Sequence, residues 1–214
     1  MLKLFLVGCP RSGTTLLQTV LADRLGLLTP RETHFFRGLR RWRPLRALDR
    51  LGRDPTRVDA TCARIREQNG LTGALEPARP RTLAEAVGAL DRLLTAEARS
   101  RGLAGWLEKS PEHLFFLADV RAFVPDARIV AILRDGADVV ASLVDARAKH
   151  PAPWAWVGGL GGAIRLHNRY VRTLRREIGR RERRARRPDG RADLFLVRYE
   201  DLVAKDARML DGLA

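Results

Sequence analysis

Apolar residues occur along this chain in two patterns that predict different elements. Short, continuous apolar runs are typical of strands buried on both faces of a parallel sheet. Such runs occupy residues 4–7, 106–108, 128–133 and 194–199. Residues 82–101 instead carry leucines and a valine on one stripe at helical spacing, which predicts an amphipathic helix. The chain therefore alternates between predicted strands and predicted helices.

Further helices are predicted after the strands. Ser110 is a good N-cap and Pro111 suits the first helical position, so a helix is expected to run to about Phe123. The others are predicted over residues 14–26, 56–68, 135–148 and 200–213, with a long basic helix that follows the glycines at 158–162 and runs to about 187. This alternation predicts a three-layer α/β fold with a mostly parallel sheet flanked by helices.

The segment between the first strand and the first helix, residues 7–15, has the composition of an anion-binding loop. Backbone N–H groups converge at such a junction, and the helix dipole favours a negative charge. Gly8 and Gly13 are five residues apart, as in a Walker phosphate loop, but Thr14 stands where that loop has its lysine. The cation of this P-loop-like segment is instead Arg11. We expect an anionic ligand other than a triphosphate held by a Walker lysine.

Three cationic residues follow predicted strands: Arg11, Lys109 and Arg134. Ligands of open α/β sheets bind at the carboxyl ends of the strands. Because parallel strands end at the same edge of the sheet, we expect these three side chains to meet there.

Composition adds weaker constraints. The 214 residues suit one domain, and two cysteines, Cys9 and Cys62, fit a reducing, cytoplasmic location. We expect no membrane span, since no apolar run approaches about 20 residues. The net charge is +15, but only four of the 40 basic residues are lysine, a bias that also fits a GC-rich genome. Charge alone therefore predicts no specific nucleic-acid partner.

Four separated motifs resemble those of sulfotransferases that use 3′-phosphoadenosine 5′-phosphosulfate (PAPS), and specifically the bacterial and tyrosylprotein-type branch. The first motif, PRSGTT, is the family's phosphosulfate loop, and the second, LRD followed by Ser142, is its 3′-phosphate element. The third, VRYEDL, is a strand–helix junction that recurs in the family, and EKSP at 108–111 is typical of this branch. The resemblance spans residues 2–203, although no motif covers residues 36–100.

The resemblance implies a role for individual residues of this chain. The donor's phosphosulfate would be held by the loop residues Arg11, Ser12, Gly13, Thr14 and Thr15. Arg134 and Ser142 would hold the 3′-phosphate, where a guanidinium matches phosphate in a fork geometry, and Tyr199 would touch the nucleotide. Arg11 and Lys109 would stabilise the bridging oxygen and the departing phosphate, and the scheme requires no metal.

An acceptor hydroxyl also needs a general base. Tyrosylprotein-type relatives use a glutamate shortly after the first helix, and Glu32 stands at the corresponding place. Cytosolic-type relatives use a histidine, so His34 is the local rival and His113 is a third candidate. We favour Glu32 on its spacing, with His34 next.

The sequence leaves the acceptor open, as a small molecule, a glycan or a peptide, with a hydroxyl or an amine as the accepting group. It also leaves the oligomeric state open. Specificity is expected in a variable, helical acceptor-side region over about residues 33–100. Trp154 and Trp156 are interpreted as core residues in preference to an acceptor wall, and the arginines of residues 37–53 as a solvated basic face.

Two other functions remain as alternatives, a P-loop kinase and a nucleotide- or polyanion-binding remnant without turnover. Relatives usually continue beyond the junction at residues 199–201 with a basic segment that closes over the nucleotide. The chain stops at Ala214, so we expect that lid to be missing from this single domain of residues 1–214.

Overall fold

Five parallel strands form one sheet, in the order β2-β3-β1-β4-β5, in the computed structural model, which describes residues 1–39, 55–71, 82–185 and 193–204. The strands are β1 (Leu2–Gly8), β2 (Leu27–Leu28), β3 (Gly105–Lys109), β4 (Arg128–Leu133) and β5 (Leu194–Arg198). In the register of the central strands, Leu6 pairs with Lys109 and Gly8 pairs with Ile132. The carboxyl ends of β1, β3 and β4 therefore lie side by side.

Helices cover both faces of this sheet. They are α1 (Thr14–Leu25), α2 (Phe35–Leu39), α3 (Pro55–Asn69), α4 (Leu83–Ser100), α5 (Leu117–Phe123), α6 (Gly136–Lys149), α7 (Pro151–Trp154), α8 (Gly159–Ala185) and α9 (Tyr199–Val203). Short 3₁₀ helices occupy Pro111–Phe116 and Ala155–Val157. The predicted P-loop-like α/β fold with a parallel sheet flanked by helices is confirmed.

Alternation along β1 gives each face of the sheet its own core. Phe5 and Val7 point into a larger cluster that includes the buried stripe of α4. Leu4 and Leu6 point the other way, into a smaller cluster that contains Leu17 of α1. Since successive side chains of a strand face opposite sides, a continuous apolar run supplies both cores.

The helix predicted over residues 82–101 is confirmed, and its start is well defined. Thr82 Oγ1 accepts a hydrogen bond from the Glu85 amide at 3.1 Å, and the Thr82 amide donates to Glu85 Oε2 at 3.3 Å. This reciprocal capping box satisfies two donors at the helix N-terminus. The helix predicted over residues 56–68 is α3, one residue longer at each end.

Three other expectations about elements need correction. The helix expected from Ser110 to Phe123 is a 3₁₀ helix followed by α5, and the Ser110 hydroxyl donates to Glu108 and does not cap this helix. The glycines at 161 and 162 lie inside α8 and do not break it. Tyr199 begins α9 and does not end β5.

Other expectations fall outside the described residues. They concern the arginines of residues 40–53, the end of the basic helix near residue 187 and the helix expected to continue to residue 213. Among the described residues, no helix has both the length and the apolar character needed to cross a bilayer.

Candidate active site

The three predicted cations meet at the carboxyl edge of the sheet. Arg134, after β4, donates from Nη1 to the backbone oxygen of Arg11 at 3.4 Å. Arg11, after β1, donates from Nε to Ser142 Oγ at 3.0 Å. Lys109, the last residue of β3, has Nζ 3.5 Å from Thr15 Oγ1. The fold thus brings together the loop, the strand ends and the Ser142 hydroxyl of α6, all of which the sequence predicts to lie at one site.

The loop before α1 turns on two residues with left-handed backbone, Arg11 at φ 73° and Gly13 at φ 89°. The Ser12 amide donates to the carbonyl of Cys9 at 3.1 Å and closes the turn. A Cβ at Gly13 would lie 2.4 Å from Cδ2 of Tyr199, so position 13 requires glycine for both its backbone and its space. The first amides of α1 face the loop, as an anion site needs. Nothing in the sequence signalled the conformation of Arg11.

Arg134 is held against Tyr199. Its guanidinium carbon lies 4.3 Å from the centre of the tyrosine ring, and Nη2 lies 3.0 Å from Asp138 Oδ2. Its Nε is buried and has no hydrogen-bond partner among the described residues. Half-buried Tyr199 thus lies beside Arg134, and Ser142 is linked to Arg134 by way of Arg11.

Glu200 ties α9 to the start of α6. Its Oε1 accepts from the Asp135 amide at 2.9 Å, and this hydrogen bond lowers the pKa of Glu200 below its ordinary value. Asp135 in turn caps α6, since Oδ1 accepts from the amides of Ala137 at 2.9 Å and Asp138 at 3.2 Å. The VRYEDL junction therefore helps to position the segment that carries Arg134.

Glu32 lies between the side chains of Lys109 and His34. Its Oε1 is 2.5 Å from Lys109 Nζ, and its Oε2 is 3.5 Å from His34 Nε2. The other ring nitrogen of His34, Nδ1, is hydrogen-bonded to Glu112. That hydrogen bond, with the charges of nearby carboxylates, raises the pKa of His34 against the opposing effect of burial. The two base candidates, Glu32 and His34, are thus neighbours with different partners.

A buried carboxylate, Glu108, anchors the segment that carries both candidates. Its Oε1 accepts from Thr33 Oγ1 at 2.7 Å, from the Thr33 amide at 3.3 Å and from Ser110 Oγ at 2.6 Å. Ser110 Oγ accepts from the His34 amide at 3.0 Å. Successive residues of β3 therefore serve two purposes, because Glu108 holds Thr33 while Lys109 pairs with Glu32.

His113 faces this anchor and not the loop. It is fully buried, its Nδ1 lies 2.7 Å from Glu108 Oε2, and its ring packs 5.0 Å from that of Phe36. Burial alone would raise the pKa of Glu108, but the charge of His113 and the hydrogen bonds of Ser110 and Thr33 outweigh it, so that pKa is lowered. The suggestion that His113 acts as a base is therefore wrong, since no acceptor can reach it. Glu108 is the first residue of the EKSP motif, but its role as an anchor could not be predicted from the sequence, and neither could the hydrogen bond between Glu112 and His34.

A cavity of about 750 Å³ opens beside the loop. We call it the aromatic cavity, and the residues that line it are Pro10, Arg11, Thr14, Thr15, Glu32, His34, Arg37, Pro111, Glu112, Phe115, Phe116, Pro153, Trp154, Trp156, Leu166, Arg169 and Tyr170. Trp154 and Trp156 belong to its wall, and Trp156 is 57% exposed. The interpretation of Trp156 as a core residue is therefore wrong, whereas Trp154 is partly buried and packs against the larger core as well as lining the cavity.

Comparison with known proteins identifies the family. The model of the sulfotransferase family matches residues 3–214 of this chain. The chain belongs to the sulfotransferase family. A search of curated proteins gave no match.

Two solved structures of sulfotransferases share the fold of this chain. The sulfotransferase domain from the curacin biosynthetic pathway is 20% identical, with a TM-score of 0.59 over 99% of this chain and 72% of that one. A sulfotransferase from Alicyclobacillus acidocaldarius is 17% identical, with a TM-score of 0.56 over 100% of this chain and 79% of that one. Family membership supports a transferase active in sulfuryl transfer, whereas the similarity to these two structures shows a shared fold and nothing more.

Proposed function

We propose that this sulfotransferase moves a sulfuryl group from PAPS to the hydroxyl of an acceptor. The observation that carries the proposal is the meeting of Arg11, Lys109 and Arg134 around the N-terminus of α1, with the Glu32 carboxylate beside them. Guanidinium and ammonium groups at a helix N-terminus suit a ligand with several negative charges.

The donor needs two anion sites, and the residues present fit both. For the phosphosulfate, the chain offers the amides of residues 12–15, the hydroxyls of Thr14 and Thr15, and Lys109. For the 3′-phosphate it offers Arg134, whose buried Nε has no partner among the described residues, together with Ser142. Arg11, hydrogen-bonded to Ser142 from a position in the loop, lies between the two. The ring of Tyr199 contacts the Arg134 guanidinium and so positions Arg134 to bind the nucleotide.

The donor supplies a sulfuryl group on a good leaving group, and the chain supplies proton transfer and charge stabilisation. Glu32 takes the proton of the acceptor hydroxyl as the acceptor oxygen forms its bond to sulfur. The bond from sulfur to the bridging oxygen breaks, and its electron pair leaves with 3′-phosphoadenosine 5′-phosphate (PAP). Lys109 and Arg11 stabilise the charge that develops on that oxygen. No step in this scheme uses a metal ion.

Glu32 suits the role of base better than His34. His34 is hydrogen-bonded to Glu112 through Nδ1, which raises its pKa, and its Nε2 lies towards Glu32, so both ring nitrogens face carboxylates of the protein and not the acceptor. We assign His34 to positioning, with Nε2 towards Glu32 Oε2. Replacement of Glu32 by glutamine is expected to lower kcat by about 100-fold or more and to change donor binding little.

The experiment is a calorimetric titration of the chain with PAP, and with ATP in the presence and absence of Mg²⁺. We expect metal-independent binding of PAP that weakens at least tenfold in Arg11→Ala and Arg134→Ala. Arg176→Ala removes an exposed arginine of α8 as a charge-matched control and is expected to leave the affinity unchanged. Binding of ATP only with Mg²⁺, and no binding of PAP, would replace the proposal with a kinase function.

A further inference from the structure

We propose that the acceptor is an alcohol or phenol with a flat apolar body, which binds in the aromatic cavity with its hydroxyl at Glu32. This inference rests on the proposed sulfuryl transfer and adds the chemical class of the acceptor. The cavity volume of about 750 Å³ lies within the usual range of small-molecule sites, about 300–1,000 Å³. The cavity therefore has room for an acceptor next to the loop.

A pair of stacked indoles forms one wall. The rings of Trp154 and Trp156 have their centres 5.6 Å apart and their planes at 26°. The indole N–H of Trp156 already donates to the Pro153 carbonyl at 2.9 Å, although the residue is 57% exposed. Trp156 therefore offers a bare ring face and no hydrogen-bond donor, and such a face is best covered by another flat apolar group.

Three other lining residues, Phe115, Phe116 and Tyr170, are also aromatic, and their neighbours hold them in place. Phe115 packs on Tyr170 with 4.7 Å between ring centres, and Phe116 stacks on Phe36 at 5.7 Å with planes at 14°. The guanidinium of Arg169 covers Phe115 at 4.4 Å. Rings fixed in this way lose little conformational freedom when a ligand binds, so their apolar area contributes directly to affinity.

The aromatic cavity also reaches the reacting groups. Arg11, Thr15 and Glu32 line it together with the indoles, and the Arg11 guanidinium lies 5.8 Å from the ring centre of Trp154. An apolar body stacked on the indoles thus places its hydroxyl end towards both the carboxylate and the donor loop.

A polar groove on the other side of Glu32 is the rival site. It has a volume of about 630 Å³ and is lined by Gln18, Thr19, Ala22, Asp23, Thr29, Pro30, Arg31, Glu32 and Lys109. These side chains suit a glycan, but none of these described lining residues belongs to the loop at 8–13. An acceptor in the groove would meet Glu32 and Lys109 but not the donor loop, whereas Arg11, Thr14 and Thr15 line the aromatic cavity together with Glu32, which favours the aromatic cavity.

The test measures acceptor binding apart from turnover, with 2-naphthol and chito-oligosaccharide titrated into the chain, with and without PAP. We expect 2-naphthol to bind, and Trp156→Ala to weaken its binding about tenfold. Trp156→Phe keeps a ring face and is expected to stay within about threefold of the wild type. Gln18→Ala, the control in the polar groove, is expected to leave naphthol affinity unchanged.

The outcomes separate this inference from the proposed function. Equal naphthol affinity in the wild type and Trp156→Ala, or oligosaccharide binding that Gln18→Ala weakens, would overturn the assignment of an apolar acceptor. Unchanged PAP affinity in Trp156→Ala, with weakened naphthol binding, would support it. If PAP fails to bind while naphthol binding still depends on Trp156, the donor proposal fails and the assignment of the apolar site is supported.

Discussion

Two residues other than glycine have left-handed backbone among the described residues, Arg11 at φ 73° and His34 at φ 47°, and both line the aromatic cavity. Such conformations are costly and persist where neighbouring contacts impose them. Arg11 is held by its bond to Ser142, and His34 by Ser110 at its amide and Glu112 at its ring. The conformations of both residues are therefore imposed by side-chain contacts within the protein.

The pair of His34 and Glu112 makes stability depend on pH. Because the pKa of His34 is raised in the folded state, protonation of the ring stabilises the fold. This stabilisation is complete below the ordinary pKa of 6.5 and is lost as the pH rises through the folded-state pKa. Burial alone would raise the pKa of Glu112, but the hydrogen bond to His34 outweighs burial, so this pKa is lowered. The ionised carboxylate therefore stabilises the fold above its ordinary pKa of 4.5, and this stabilisation is lost in acid. Both stabilising effects are therefore complete between pH 4.5 and pH 6.5.

Glu112→Gln is therefore expected to destabilise the chain most near pH 5.5 and least near pH 9. The measurement is urea unfolding of both proteins at each pH, which gives the difference in free energy of unfolding. Asp145→Asn, in an exposed pair with Lys149, is the control and should show no such dependence. A cost of Glu112→Gln that stays constant across this range would contradict the account of the pair.

Sequence reasoning found the residues at the rim but not those that support them. Arg11, Lys109 and Arg134 could be grouped because each follows a predicted strand, and Glu32 because it stands shortly after the first helix, where tyrosylprotein-type relatives have their glutamate. Glu108 and Thr33 are 75 residues apart in the chain, and their contact exists only once β3 and the segment before α2 are packed. For the same reason the burial of His113 could not be seen in the sequence.

At the scale of elements, the end of β3 and the segment before α2 act as one unit. The Glu108 carboxylate and the Ser110 hydroxyl hold Thr33 and the backbone of His34, while Lys109 holds Glu32. Because Glu108 is fully buried, each hydrogen bond it accepts replaces solvation lost on folding. The position of the proposed base therefore depends on side chains beneath it.

Thr33→Val keeps the size of the side chain but removes the hydrogen bond from Thr33 Oγ1 to Glu108 and the one that Oγ1 accepts from the Phe35 amide at 3.2 Å. It is expected to lower the free energy of unfolding by about 1–3 kcal/mol, because it leaves a buried carboxylate with one donor fewer. Thr33→Ser keeps the hydroxyl and is expected to recover most of the loss, as measured by urea unfolding. If the serine variant were as unstable as the valine variant, packing of the methyl group and not the hydrogen bond would be the cause.

The turn before α1 can be tested with two glycines at opposite ends of the same helix. Gly13→Ala meets both a left-handed backbone and the ring of Tyr199, whereas Gly26→Ala has φ 60° and nothing within 4 Å of its Cβ. We expect Gly26→Ala to cost about 1–2 kcal/mol, and Gly13→Ala to cost more and to abolish PAP binding. Thermal unfolding and calorimetry measure these effects. Equal costs, with PAP binding retained in both, would show that the contact with Tyr199 is unimportant.

At the scale of the whole molecule, the parallel sheet explains why distant motifs meet. β1, β3 and β4 are neighbours, so the residues that follow them share one edge. The apolar runs and the stripe of α4 were sufficient to predict a parallel sheet flanked by helices, but they predicted neither the order of the strands nor the short strand β2. The 3₁₀ helix at Pro111–Phe116 and the exposed indole of Trp156 were not predictable, because both depend on contacts between elements.

The central claim is transfer of a sulfuryl group from PAPS, and its most direct test follows a radiolabelled sulfuryl group. PAPS that carries this label is incubated with the chain and 2-naphthol in the presence of EDTA, and labelled naphthyl sulfate and PAP are measured. We predict equal amounts of the two products, with formation slowed at least 100-fold in Glu32→Gln and in Arg11→Ala but not in Arg176→Ala. Binding of PAP and 2-naphthol without any movement of the label would contradict the account and leave a nucleotide-binding protein without turnover.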